Sequence, residues 1–255
     1  MSNTIDWGKI HFSSWSPETN LTGTATSSFS NTQSIELDGI DDYVDLGDLS
    51  AEFSGQTTAS VSLWFKRDTT TNQIIFDLKD GTSRIAIQLY QNTAIYFYLN
   101  NNNYNHPTVP AIGTWYNLIY VFNGGGTTNA DKLKMYLNGT ELTGGTYSGT
   151  IDTAIGTLTS SMTSNIGRTP SVAYFDGNID EVALFNTALS SSDVTTIYNS
   201  GVPNDISSIS GLVSWWRFEG TGTTVTDSGS GGNDATLTNA GIDSTIPIYS
   251  TDVPT

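Results

Sequence analysis

Apolar and polar residues alternate at period two in segment after segment of this chain. Residues 59–67 set Val61, Leu63 and Phe65 against Ser60, Ser62, Trp64 and Lys66. Residues 93–99 set Ile95, Phe97 and Leu99 against Tyr96 and Tyr98, and residues 132–142 set Leu133, Met135 and Leu137 against Lys132, Lys134 and Tyr136. Ile35 and Leu37 alternate in the same way with Ser34, Glu36 and Asp38. This spacing puts one side of an extended chain in a core and the other outside, so each segment is predicted to be a strand. Asp38-Gly39, Asp80-Gly81 and Asn138-Gly139 punctuate the strands as hairpin turns, because glycine accepts the positive φ that tight turns need. One helix is expected near residues 190–200. Ser190 caps it with Asp193 three residues on, Val194, Ile197 and Tyr198 have helical spacing, and Gly201 and Pro203 end it. Residues 100–110, rich in Asn, read as a loop, and LVSWWRFE at 212–219 reads as a last strong strand. About a dozen strands and one short helix predict an all-β, antiparallel two-sheet β-sandwich.

Composition narrows the partners. The 255 residues carry a net charge of −16 with only nine Lys and Arg. Nucleic acid and anionic membrane surfaces are therefore unsuitable, since both are bound by neutralising phosphates. The chain has no cysteine, which excludes disulfides, thiolate metal sites and thiol nucleophiles. Residues 1–20 have neither a basic stretch nor an apolar core, so no secretory signal peptide is expected. Residues 1–33 read as an N-terminal arm whose anchors are Trp7, Ile10, Phe12 and Trp15, and 241–255 as a Pro- and Ser-rich tail.

Four segments carry a family resemblance. SIELDGIDDYVDLGDL at 34–49, SVSLWFK at 60–66, GTWYNLIYVFN at 113–123 with LKMYLNG at 133–139, and IGR…YFDGNIDEVALFNTALS…IY at 166–198 occur in the order found in laminin G-like, concanavalin A-like jelly-roll modules. The resemblance implies a jelly roll over residues 34–240. One piece is displaced: GLVSWWRFEGTGTTVTDSGSGGNDATL at 211–237 resembles the strand that opens such modules, yet it lies near the C-terminus. It is expected to complete the same sandwich as a permuted strand, or else that of a neighbouring copy in a homo-oligomer. This permuted order, with its WGKIHFSSW arm, is similar to virion proteins of tailed phages. That implies a non-enzymatic structural and recognition protein on the virion surface, a capsid decoration or fibre component attached to other virion proteins by the arm. The alternative is a bacterial extracellular or cell-surface lectin or adhesin module.

Two chemistries suggest themselves. Tyr96, Tyr98, Tyr104, His106 and Gln88 supply the aromatic faces and hydrogen-bonding groups that surface glycans use. The same tyrosines could equally serve as cross-strand pairs that stabilise the sheet. The resemblance further implies a structural calcium ion, with Asp180, Glu219 and Asp227 as ligands. A glycosidase needs two carboxyls about 5–5.5 Å apart across the scissile bond for a retaining mechanism. Glu36, Asp38 and Asp41 only superficially resemble such a set, because Gly39 interrupts their strand and Asp41 stands where a Glu would complete it. No enzyme activity is expected.

Overall fold

The computed structural model describes residues 29–169, 173–239 and 247–255. The chain divides into two compact units, Met1–Ser30 and Asn31–Thr255, and the architecture below is that of the second. The expected aromatic anchors of the arm lie outside the described residues.

The strands run in chain order as β1 (Ser34–Asp38), β2 (Asp42–Asp45), β3 (Thr58–Arg67), β4 (Gln73–Asp80), β5 (Ser83–Tyr90), β6 (Ala94–Leu99), β7 (Asn102–His106), β8 (Tyr116–Asn123), β9 (Leu133–Leu137) and β10 (Thr140–Glu141). Then come β11 (Thr146–Ser148), β12 (Thr163–Ile166), β13 (Arg168–Thr169), β14 (Ala173–Tyr174), β15 (Asp176–Phe185), β16 (Leu212–Trp216), β17 (Thr224–Val225), β18 (Ala235–Asn239) and β19 (Ile248–Ser250). The helices are α1 (Ser50–Phe53), α2 (Asn129–Lys132) and α3 (Ser191–Tyr198). Sheet I has the order β10-β9-β8-β3-β15-β1-β19, with β16 also paired to β15, and sheet II the order β11-β7-β6-β5-β4-β12-β2-β18-β17. The pairings between these strands are antiparallel, and the two sheets form a sandwich of the concanavalin A-like type.

The core fills the space between the sheets. Val61, Leu63 and Phe65 of sheet I meet Ile85, Ile87, Ile95 and Phe97 of sheet II, all essentially without solvent contact. The period-two pattern thus maps onto inward and outward faces. At the hairpin between β9 and β10, Asn138 and Gly139 both take positive φ, +49° and +73°, as a two-residue turn requires. The Asp38-Gly39 turn is more constrained. Gly39 has φ +73°, and a Cβ there would come within 2.6 Å of Cβ of Asp176.

The helix α3 has the expected capping box. The Ser190 hydroxyl and the Asp193 carboxylate each accept from the other's backbone N–H. Asn199 closes the helix in the left-handed conformation, two residues before Gly201 and four before Pro203. The helix explains why Trp64, on the outward row of β3, is only 3% exposed: Tyr198 stacks on it with ring centroids 6.0 Å apart.

The displaced C-terminal segment pairs within its own chain. Strand β16 lies against β15, with Trp215 opposite Ala183, and β18 lies against β2, with Leu237 opposite Val44. Trp216 is buried in the core. Both expected boundaries move. Asn31–Gln33, assigned to the arm, bond into the sandwich through Asp180 and Glu219. Residues 247–255, assigned to a tail, include β19, which pairs with β1 at the edge of sheet I. Asp252 there pairs with Lys66 and accepts from Trp115 Nε1 at 2.8 Å.

Candidate functional site

The outer face of sheet II is built from every second residue of its strands. Gln88 of β5 stands opposite Tyr96 of β6, and Ala86 opposite Tyr98, so these side chains share the face turned away from the core. Tyr96 and Tyr98 stack with centroids 5.9 Å apart and planes 17° from parallel. Tyr90, 41% exposed, lies 5.5 Å from Tyr96 at a tilt of 60°. The Tyr98 hydroxyl donates to Gln88 Oε1 at 2.7 Å, and Gln88 Nε2 donates to Asn72 Oδ1 at 2.6 Å. The Arg84 guanidinium covers one face of Tyr98 at 4.7 Å, while its Nε donates to Asp77 Oδ1 at 2.6 Å. Asp77 is fully buried beneath it. Burial pushes the Tyr98 phenol above its ordinary pKa, so it stays a neutral donor.

Tyr104 and His106 do not join this face. The segment expected to be a loop is the strand β7, and strand alternation then divides its side chains. Tyr104 pairs opposite Phe97 and is 2% exposed in the core, stacked on Tyr147 at 4.5 Å with its hydroxyl on the Leu142 carbonyl at 2.6 Å. His106 pairs opposite Ile95, and its ring nitrogens meet the Thr143 carbonyl and the Thr108 hydroxyl. The residues that do share the tyrosine face are Asn103 and Asn105, opposite Tyr98 and Tyr96. With one large apolar residue, NNYNH shows too little alternation to announce a strand.

The expected calcium ligands separate into two groups. Strand β15 has a bulge between Asp180 and Ala183, where Glu181 takes φ +49°. The extra residue lets Asp180 and Glu181 both leave the core while Ile179 and Val182 stay in it. Asp180 is fully buried, its Oδ2 accepting from Asn31 Nδ2 at 2.9 Å. Burial, then the neighbouring Glu181 charge, raises its pKa well above the usual carboxylate range, and Glu219 adds to the rise. Glu181 is pushed up to about 7 by burial, against the pull of Arg217 and of Trp215 Nε1, 2.5 Å away. Glu219 holds the backbone of Thr32 and Gln33 and the Thr32 hydroxyl. Asp180, Glu219 and the buried Asn31 Oδ1, which has no hydrogen-bond partner among the described residues, fit a hard cation that wants oxygen ligands. Asp227 does not fit. Its carboxylate accepts from the backbone of Trp215, Gly229 and Asn233 and shapes its own loop.

The dense acids of the opening turn also come together. Carboxylate oxygens of Asp38, Asp41 and Asp42 lie within 4.8 Å of one another. Asp38 caps the backbone of Ile40 and Asp41, while Glu36 is exposed on the outward row of β1 and Asp41 is buried. Glu36 and Asp41 thus do not face one open cleft. Among the described residues, no helix is long and apolar enough to cross a membrane.

A jelly roll with an aromatic and amide-lined sheet face is a sandwich of the lectin type. The chain belongs to the family described as the concanavalin A-like lectin/glucanases superfamily, whose laminin G-type model matches residues 38–195. Among curated proteins none matches the sequence. Among solved structures, a Bacteroides ovatus protein named for proposed carbohydrate binding is 15% identical with a TM-score of 0.63, over 89% of this chain and 62% of that one. The Ruminococcus gnavus IT-sialidase CBM40, bound to α2,6-sialyllactose, is 15% identical with a TM-score of 0.50, over 67% of this chain and 100% of that one. At these identities the likeness is one of fold.

Proposed function

We propose that the protein is a non-enzymatic glycan-binding module whose binding face is the outer side of β5, β6 and β7. The observation that carries this is the Tyr96–Tyr98 stack, extended by the exposed Tyr90 and bordered by Gln88, Asn103 and Asn105. Aromatic faces take the C–H surface of a sugar ring, and amides beside them take its hydroxyls. The carbohydrate named with the Ruminococcus domain, and the name of the Bacteroides protein, support the same reading. A structural calcium ion held by Asp180, Glu219 and Asn31 belongs to this proposal; its role is to neutralise buried carboxylates and fix the Asn31–Gln33 segment.

Location is a further part of the proposal. The permuted order of segments supports a decoration or fibre protein on a phage virion, with the N-terminal arm as its attachment to other virion proteins. The second reading is a bacterial extracellular or cell-surface lectin, which the family membership favours. A glycan array with the purified chain, in calcium and again in EDTA, tests the binding activity. Binding to a defined glycan class that disappears in Tyr96→Ala/Tyr98→Ala supports it. An array without any binding, or binding untouched by that double substitution, overturns it. Co-sedimentation with phage particles separates the two locations.

A further inference from the structure

A cavity of about 250 Å³ lies at the other end of sheet II, between the segment following β16, the strand β17 and the edge strand β19. Its lining is rich in hydroxyls, including Thr221, Thr224, Ser228 and Tyr249, with Phe218 and Val225 as an apolar wall. The Tyr249 ring packs against the core, opposite Ile35, and its hydroxyl is buried without a hydrogen-bond partner among the described residues. A buried polar atom left in that state is unfavourable unless a ligand or water completes it. Gly220 keeps the space open: a Cβ there would come within 3.2 Å of the Tyr249 hydroxyl, and no positive φ demands a glycine. Arg217 at the rim is matched by Glu181, and Glu219 is committed to Thr32, Gln33 and the proposed calcium ion, so the cavity offers no spare carboxylate or guanidinium charge.

We propose that this cavity is a second binding site, for a single neutral pyranose unit. An apolar wall with several hydroxyls matches a ring with one C–H face and a hydroxyl edge. The volume is below the roughly 300–1,000 Å³ of pockets that enclose drug-sized ligands, which suits one ring and not a chain. The site is distinct from the tyrosine face. Strand β17 is six strand steps from β6 in sheet II, and at ~4.8 Å per step the separation is about 29 Å. One chain would then be bivalent, which raises avidity for a surface that displays both determinants.

Saturation-transfer difference NMR on the full chain tests this, with the methyl glycosides of glucose, galactose, mannose and N-acetylglucosamine as probes and methyl glucuronide as the charged control. At least one neutral glycoside binds the native chain and still binds Tyr96→Ala/Tyr98→Ala. Gly220→Val, which fills the cavity, abolishes that signal. Tyr249→Phe, which removes only the hydroxyl, weakens it about fivefold, as loss of one hydrogen bond should, and this milder change decides the matter if Gly220→Val does not fold. The proposal is overturned if no neutral glycoside binds, if the glucuronide is preferred, if binding survives both cavity variants, or if it vanishes with the tyrosine pair alone.

Discussion

Tyr98 and Gln88 are joined diagonally across the β5–β6 pairing by a hydrogen bond of 2.7 Å from the phenol to Oε1. The bond turns the Gln88 amide so that its nitrogen reaches Asn72, and it holds the Tyr98 ring between Tyr96 and Arg84. Tyr98→Phe keeps the ring and frees Gln88. Glycan affinity in Tyr98→Phe is expected to drop about fivefold, by one hydrogen bond's worth of ordering, while Tyr96→Ala removes the platform and drops it further. Isothermal titration with the best array glycan measures both. Equal affinity in native protein and Tyr98→Phe would show that the bond has no part in recognition.

Tyr120 is fully buried beside Phe97 at 5.1 Å, and its hydroxyl has no partner among the described residues. Burial raises its pKa far above the ordinary tyrosine value. Tyr120→Phe removes an unsatisfied hydroxyl and leaves the ring, so stability is expected to be unchanged or to rise by about 1 kcal/mol. Urea denaturation reads this directly. A loss beyond 1 kcal/mol would mean that the hydroxyl is bonded after all.

Asp176 lies against the Asp38-Gly39 turn, and its pKa is raised by burial and by the charges of Asp68, Asp38 and Glu36. A carboxyl whose folded pKa lies above its unfolded value binds a proton more readily in the fold. Its contribution is therefore most favourable below the unfolded value, 3.8, and is lost as pH rises through the folded one. Asp176→Asn is expected to be more stable than the native chain at pH 7, by at most about 1 kcal/mol for a partly solvated charge, and the gain should vanish toward pH 4. Melting curves across that range check the sign; a gain that grows on acidification would contradict it.

Calcium is expected to raise the melting temperature if it bridges Asp180 and Glu219. A ligand at a hundred times its Kd stabilises by about 2.7 kcal/mol, which for a domain of this size is a shift of several degrees. Differential scanning calorimetry in calcium and in EDTA measures it, and Asp180→Asn should lose the shift while Asp227→Asn, already destabilised through its loop, should keep it. Identical melting of the native chain in both buffers would remove calcium from the proposal.

Period-two alternation was legible wherever strong apolar residues marked it. The inward rows of β3, β6 and β9, the Asn138-Gly139 turn and the Ser190 cap all follow from residues a few positions apart. The outward placement of Tyr96 and Tyr98 follows from the same local rule. The failures have physical reasons too. In β7 a nearly all-polar strand hides its alternation, so Tyr104 and His106 looked available, whereas pairing opposite Phe97 buries Tyr104 and pairing opposite Ile95 takes the half-exposed His106 off the tyrosine face. In β15 the spacing from Ile179 to Val182 carries a trace of the bulge, but only pairing with β3 and β16 makes it a bulge and buries Asp180 beside Glu181.

Local chemistry, carried by neighbours along the chain, determined the strands, the turns, the helix cap and the family. Tertiary structure alone decided what depends on partners far away in sequence. Trp64 is buried because Tyr198 arrives on α3. Asp227 is consumed by a loop that must wrap the end of β16. The cavity under Tyr249 exists only because β17, the end strand of sheet II, and β19, the edge strand of sheet I, close around Gly220. Residue type and spacing prescribe which face a side chain takes, whereas the long-range pairing of strands prescribes what that face meets.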